Sequence, residues 1–265
     1  MRYKTLLPLF FWLVTAAAAA QGGLKVRLQV WLEGPYQADT MRTTLRALDL
    51  LAEHYTAGGT LPSPTGERMA EGATVPSGAV DVIKVELRRD PDFVEPLATA
   101  YGWLMSDGTV RDFRTGLLPY VHFTPDAQPE GNYRVVLKHR NHLAAMSSGE
   151  IFLRTTAPAA GAYDPAAGGW DFSLLDNLAG GSAKRLVGMR YGLIAGDGAQ
   201  DSRFETNARD FEAVTLATRE GVGFLTPRYV PEDVNLDGVV NAHDYEITSR
   251  AADFLYFVGF EAGQP

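Results

Sequence analysis

The chain has 265 residues, 46% of them hydrophobic, no cysteine and a formal net charge of −8. That length and apolar content suffice for one large or two modest domains with a sizeable core. The acidic balance excludes the basic footprint that nucleic-acid binding needs, and the missing cysteines leave an exported chain to gain stability from its core or from bound ions.

Residues 1–20 read as a secretory signal. Arg2 and Lys4 give a positive start, Leu6 to Val14 form an apolar run, and Ala16 to Ala20 offer a small-residue cleavage site. The run is too short and too rich in Ala for a membrane span. A mature chain starting near Gln21, secreted or at the cell surface and without a span, is therefore expected. A retained N-terminal anchor is the competing reading.

Residues 21–155 are expected to form a β-sandwich. Leu24 to Leu32 alternates strictly, with Leu24, Val26, Leu28, Val30 and Leu32 on one face. Glu33-Gly-Pro-Tyr36 ends that strand as a turn. A short helix or irregular stretch follows through His54, and residues 56–78, rich in Gly, Pro, Ser and Thr, read as a long loop. Val80–Arg88, Thr99–Met105, Tyr120–Phe123 and Tyr133–Lys138 continue the strands, with Ser106-Asp-Gly108 as a turn. Strands separated by Gly, Pro and Asp turns point to a sandwich rather than to alternating βαβ units.

Two histidines close this region in His139-Arg-Asn-His142. On a helix they would share a face and suit a transition metal. On a strand they would point to opposite faces. The run follows a strong strand and lacks an obvious third ligand. Buried hydrogen bonding is the preferred reading, with Arg140 and Asn141 tying loop carbonyls.

Several motifs here occur in a familiar order: Leu32-Glu-Gly-Pro-Tyr36 and Met41, then Val80–Arg88, Ser106-Asp-Gly108, Tyr133–Leu143 and Met146-Ser147. Residues 24–148 resemble a module near the C-termini of secreted and surface-exported bacterial proteins. Dockerin-like calcium repeats often follow that module. The resemblance implies a structural or interaction role and no catalytic activity.

Residues 156–192 are dense in Gly and Ala and read as a connection, with Trp170, Phe172, Leu174 and Leu175 anchoring it on a core. Leu186 to Ile194 suits a short helix or a strand. The strongest pattern in the chain lies beyond it, in Asp233-Val-Asn-Leu-Asp-Gly-Val-Val-Asn-Ala-His-Asp244. Oxygen-bearing side chains fall at loop positions 1, 3, 5, 9 and 12, namely Asp233, Asn235, Asp237, Asn241 and Asp244, with Gly238 at position 6. A hard cation takes six to eight oxygens, and a short loop must fold around it to present them. Gly238 permits the sharp turn, the carbonyl of Val239 supplies a ligand, and Val240 points to the core. Asp244 replaces the usual Glu at position 12 and is shorter by one methylene. The competing reading is a surface turn of Asp, Asn and Gly without a metal.

This unit has an echo. Asn241-Ala-His-Asp-Tyr-Glu246 repeats Asn207-Ala-Arg-Asp-Phe-Glu212. Asp197, Asp201, Asn207 and Asp210 then fit positions 1, 5, 9 and 12, with about two extra residues between. Ala199 replaces the position-3 ligand and Ser202 the glycine, so this is a degenerate second calcium site. Phe211–Thr218 and Tyr245–Ala252 read as short helices. Two such loops, each followed by a helix, resemble a dockerin, the duplicated calcium module of secreted bacterial proteins, over roughly residues 193–260 of the C-terminal region 193–265. Dockerins characteristically end the loop in Asp. The places that help read a cohesin partner in cellulosomal dockerins hold Ala208-Arg209 and Ala242-His243 here, where small hydroxylated pairs are common.

Phe254-Leu-Tyr-Phe-Val-Gly-Phe260 is apolar. It reads as a packed terminus, or as an edge-seeking strand for self-association. No metalloprotease motif, nucleophile elbow, Walker loop or cysteine nucleophile is present. The expected protein is a non-catalytic, calcium-binding structural or adhesion protein. Two alternatives stay open: a dockerin docking a cohesin-like receptor, and a carbohydrate-binding or carbohydrate-active protein using Trp31, Trp103 or Trp170.

Overall fold

The computed structural model describes residues 22–89, 95–124, 128–159, 163–179, 185–199 and 206–253. The signal at 1–20, the apolar stretch 254–260 and Asp201 lie outside the described residues.

The fold is mainly β with a small helical part. In chain order come β1 (Lys25–Gln29), β2 (Tyr36–Gln37), β3 (Thr40–Met41), α1 (Thr44–Ala47), α2 (Leu50–Tyr55), β4 (Ala79–Arg88), β5 (Ala98–Met105) and β6 (Val110–Asp112). Then follow β7 (Val121–His122), β8 (Gly131–His139), β9 (His142–Met146), β10 (Ile151–Leu153), β11 (Gly169–Asp171), β12 (Arg185–Val187) and β13 (Arg190–Gly192). Two helices, α3 (Ala208–Glu220) and α4 (Ala242–Asp253), end the described chain.

The larger sheet has the order β10-β8-β4-β5-β6, with β9 also paired to β8 and every pairing antiparallel. A smaller sheet has the order β11-β1-β7. Leu24, Val26, Leu28, Val30 and Leu32 are all buried, as their alternation requires. The opposite face of β1 is covered too: Lys25 and Gln29 are also buried. The central strand β4 is buried on both faces, and Glu86 there is held by Lys84, Arg88 and Lys138.

Residues 156–192 do more than connect. They supply β11, which pairs parallel with β1, and they bury Trp170 and Phe172. Leu174 and Leu175, expected to anchor this stretch, are exposed instead, because the short helical turn there faces outward. Residues 186–194 resolve to strand, as the hairpin of β12 and β13. The sheets share one buried cluster that extends to Leu193 and to Leu236 of the 233–244 loop. No described helix is long and apolar enough to cross a membrane.

Trp31, Trp103 and Trp170 are buried. Trp103 Nε1 donates to the Phe113 carbonyl at 3.0 Å, and Trp170 Nε1 to the Asn177 carbonyl at 3.0 Å. Their burial leaves no flat aromatic face for a sugar, which removes the tryptophan-platform reading.

Candidate metal site

Residues 233–244 form a closed loop whose first half is sunk into the protein. Asp233, Val234, Asn235, Leu236 and Asp244 are fully buried. The Asp233 carboxylate accepts the amides of Asp237 at 3.0 Å and Gly238 at 2.8 Å. The Asp244 carboxylate accepts those of Asn235 at 3.1 Å and Asn241 at 3.0 Å. Positions 1 and 12 are thus pinned by main-chain donors from inside the loop. Gly238 at position 6 has φ +87°, a conformation costly for any residue with a side chain. Leu236 has φ +61°, and its burial in the core holds it there. Val240 is buried against Val214 and Ala217, as expected of its inward position.

The remaining donors are arranged around this frame. Asp237 Oδ1 accepts the Val239 amide at 3.0 Å, and the Val239 carbonyl accepts Asn241 Nδ2 at 3.1 Å. Asn241 Oδ1 accepts the His243 amide at 2.8 Å, starting α4. Asn235 Oδ1 is buried and has no hydrogen-bond partner among the described residues. An orphaned buried acceptor is costly in a native fold and calls for a partner.

The electrostatics are equally one-sided. Burial pushes the Asp233 carboxyl up to about 7; Arg140 opposes this, while the charges of Asp244 and Asp237 add to it. Burial likewise pushes Asp244 up to about 6, against the two amides it accepts. Two buried carboxylates and an unpartnered amide oxygen form a donor set that suits a hard cation. Among the described residues, no group of three or more His, Cys, Asp or Glu side chains gathers to hold an ion by itself. The loop's set is of a different kind, mixing carboxylates with amide and main-chain oxygens.

The degenerate loop shares the frame. Asp210 accepts the amides of Ala199 at 2.9 Å and Asn207 at 2.8 Å, as Asp244 accepts those of Asn235 and Asn241. Asn207 Oδ1 accepts the Arg209 amide at 2.8 Å, matching Asn241 and His243. Ala199 therefore stands where Asn235 stands, with no oxygen to offer. Asp197 and Asp210 are both buried. Phe211 and Tyr245, equivalent in the repeat, meet with ring centroids 4.8 Å apart between α3 and α4.

His139 and His142 lie neither on a helix nor on opposite strand faces. They pair across the tight β8–β9 hairpin, with their Nδ1 atoms 3.0 Å apart. Their role is buried hydrogen bonding. Arg140 and Asn141 at the hairpin tip do tie loop carbonyls. Asn141 Nδ2 donates to the Asp233 carbonyl at 2.6 Å, and Arg140 Nη1 donates to that of Val230. The Asn141 carbonyl accepts the amides of Gly196 at 3.1 Å and Asp197 at 3.3 Å, so this residue touches the first position of both loops.

Asp81 lies beneath this hairpin, fully buried. It accepts Arg140 Nε at 2.9 Å and Tyr229 Oη at 2.5 Å, and its Oδ2 lies 3.2 Å from His139 Nε2. Burial raises its carboxyl, but Arg140, His139 and Tyr229 outweigh burial and hold it well below the usual carboxylate range. Burial, with His139 and Arg140 adding, holds His142 neutral well below the ordinary histidine value.

Sequence reasoning assigned no role to Asp81, Tyr229, Gly34 or Arg42. Arg42 Nη2 donates at 3.2 Å to the carbonyls of both Gly34 and Asn235. A Cβ on Gly34 would stand 1.9 Å from the Val234 carbonyl oxygen. Only the glycine of the Glu33-Gly-Pro turn hinted at such a close approach.

No family model and no curated protein matches the chain. The solved structures similar to it include two interface mutants of a type II cohesin–X-dockerin complex from Acetivibrio cellulolyticus. One has 14% identity and a TM-score of 0.39, covering 87% of this chain and 96% of that one. The other has 17% identity and a TM-score of 0.37, covering 71% and 93%. At these values the likeness carries no argument about function.

Proposed function

We propose that the protein is an exported, non-catalytic structural or adhesion module in which a calcium ion held by residues 233–244 locks the C-terminal region onto the β-sandwich. Asp233, Asn235, Asp237, Asn241 and Asp244, with the Val239 carbonyl, are its ligands. The observation that carries this reading is the buried Asn235 Oδ1, without a partner in a loop that also buries two carboxylates. A calcium ion would supply the missing positive charge and the missing contact. The degenerate loop lacks the matching oxygen at Ala199, so one ion per chain is the expected stoichiometry. Titration calorimetry on the mature chain tests this: one calcium per chain supports it, and no heat of binding refutes it.

Docking of a protein receptor is a second reading. It is favoured by one observation: Ala208, Arg209, Ala242 and His243 are all exposed at the starts of the two helices. Binding to a cohesin domain that is lost on Arg209→Glu and His243→Glu would support it.

A further inference from the structure

We infer that the β-sandwich is itself part of the calcium site: Gly34, Arg42 and Asn141 hold the main chain of the loop's first half, so affinity for the ion belongs to the folded chain and not to residues 233–244 alone. This rests on the calcium reading and deepens it.

The contacts fall on consecutive residues of the loop. Asn141 Nδ2 grips the carbonyl of position 1, Asp233, at 2.6 Å. Gly34 packs directly on the carbonyl of position 2, Val234, leaving no space for a Cβ. Arg42 Nη2 grips the carbonyl of position 3, Asn235, at 3.2 Å. Position 4, Leu236, is a member of the sandwich core.

The seat is itself held. Asn141 is fully buried and its Oδ1 lies 2.8 Å from His142 Nδ1, while His142 Nε2 accepts the Gly34 amide at 3.4 Å. Arg42 also grips the Gly34 carbonyl at 3.2 Å, tying the two sides together. None of these three residues offers a ligand to the ion, so they are positioning residues.

The consequence is preorganisation. A free loop must order its backbone when it gathers ligands, and that ordering weakens binding. Here the sandwich has ordered positions 1 to 4 beforehand. With that backbone ordered, the loop's own amides hold the Asp233 and Asp244 carboxylates in place.

The test is calcium titration calorimetry on the full mature chain, comparing wild type with Asn141→Ser and Arg42→Met. Leu153→Ala is the control. Leu153 is a buried sheet residue that pairs with Gly131, at the end of β8 opposite His139, roughly 26 Å away at ~3.3 Å per residue. Asn141→Ser and Arg42→Met are expected to weaken calcium binding about five- to tenfold, the ordinary worth of one buried hydrogen bond. Leu153→Ala, although it lowers the melting temperature, is expected to leave the affinity within about twofold, since distant sites act independently.

Wild-type affinity in Asn141→Ser and Arg42→Met would overturn the inference, as would an equal loss in Leu153→Ala. A second arm needs no ion. In chelator, the amides of Asn235 and Gly238 are protected by Asp244 and Asp233. Asn141→Ser is expected to speed their hydrogen exchange at least about fivefold, again the worth of one buried hydrogen bond, while β8 stays protected. Unchanged exchange would overturn the seat. Faster exchange in a wild-type background that takes up no calcium would uphold the seat and sink the calcium reading alone.

Discussion

Replacing Asp81 by Ala tests whether one buried carboxylate joins the sandwich to the chain leading into the 233–244 loop. Asp81 on β4 holds Arg140 and His139 of the β8–β9 hairpin, and Tyr229 just before the loop. The Arg140 side chain is only 9% exposed, and its guanidinium lies 4.1 Å over the Tyr229 ring. Removing the carboxylate leaves that charge buried with its closest counter-charge gone, and strips a partner from Tyr229. Breaking such a pair from one side costs about 3–5 kcal/mol. For a domain of this size each kcal/mol lowers the melting temperature by roughly 2–4 °C, so Asp81→Ala should melt roughly 6–20 °C lower. The assay is thermal unfolding followed by near-ultraviolet circular dichroism, with Arg140→Met and the double variant completing the cycle. The double variant should recover about 1–3 kcal/mol relative to the sum of the single losses, because it removes the stranded charge. A cost for Asp81→Ala below about 1 kcal/mol, or an additive cycle, would refute the reasoning. The pH dependence follows from the sign of the shift. A carboxyl held below its unfolded value stabilises the fold above about pH 4 and loses that contribution only as pH falls further. The deficit of Asp81→Ala should therefore stay level between about pH 8 and 5.

Three further outcomes are expected. Calcium at about a hundred times its dissociation constant should stabilise the wild type by about 2.7 kcal/mol, and Asn235→Ala or Asp244→Ala should abolish the gain; equal melting with calcium and chelator would count against the site. His142, held neutral by burial below its unfolded value, should cost the wild type up to about 1.4 kcal/mol per pH unit relative to His142→Gln as pH drops below about 6.5; the comparison is needed because Asp233 and Asp244, raised to about 7 and about 6, gain stability over the same range. Urea unfolding of both proteins in chelator at pH 8, 6.5 and 5.5 reads this, and a difference that stays constant would contradict it. Leu225 is 91% exposed, so Leu225→Ser should change stability by less than about 0.5 kcal/mol in the same urea assay. A larger loss would mean that this surface is covered.

Much of this architecture is written locally. The period-two run from Leu24 to Leu32 marks its strand because a buried face needs every second side chain. The donor spacing from Asp233 to Asp244 marks its loop because a cation's oxygens must come from set positions in a short turn. The echo at Asn207 and Asp210 announced a repeat, and its hydrogen bonds reproduce those of Asn241 and Asp244. Burial was harder to read. Both faces of β1 and β4 are covered, so Lys25, Gln29, Asp81 and Glu86 are buried in strands that alternation alone treats as half-wet. Leu174 and Leu175 face solvent despite their apolarity, and the three tryptophans considered as sugar platforms are core residues.

By itself, then, the sequence determined the longer strands, several turns and the oxygen pattern of the loop, all set by forces acting within a dozen residues. Only the tertiary structure decided that Gly34, Arg42 and Asn141 converge on that loop's main chain, and that Asp81 anchors the hairpin beside it. Those contacts join residues about sixty to two hundred positions apart. No local rule of spacing encodes such a meeting. It arises only when the sheets have packed and the buried carbonyls of the loop must find donors.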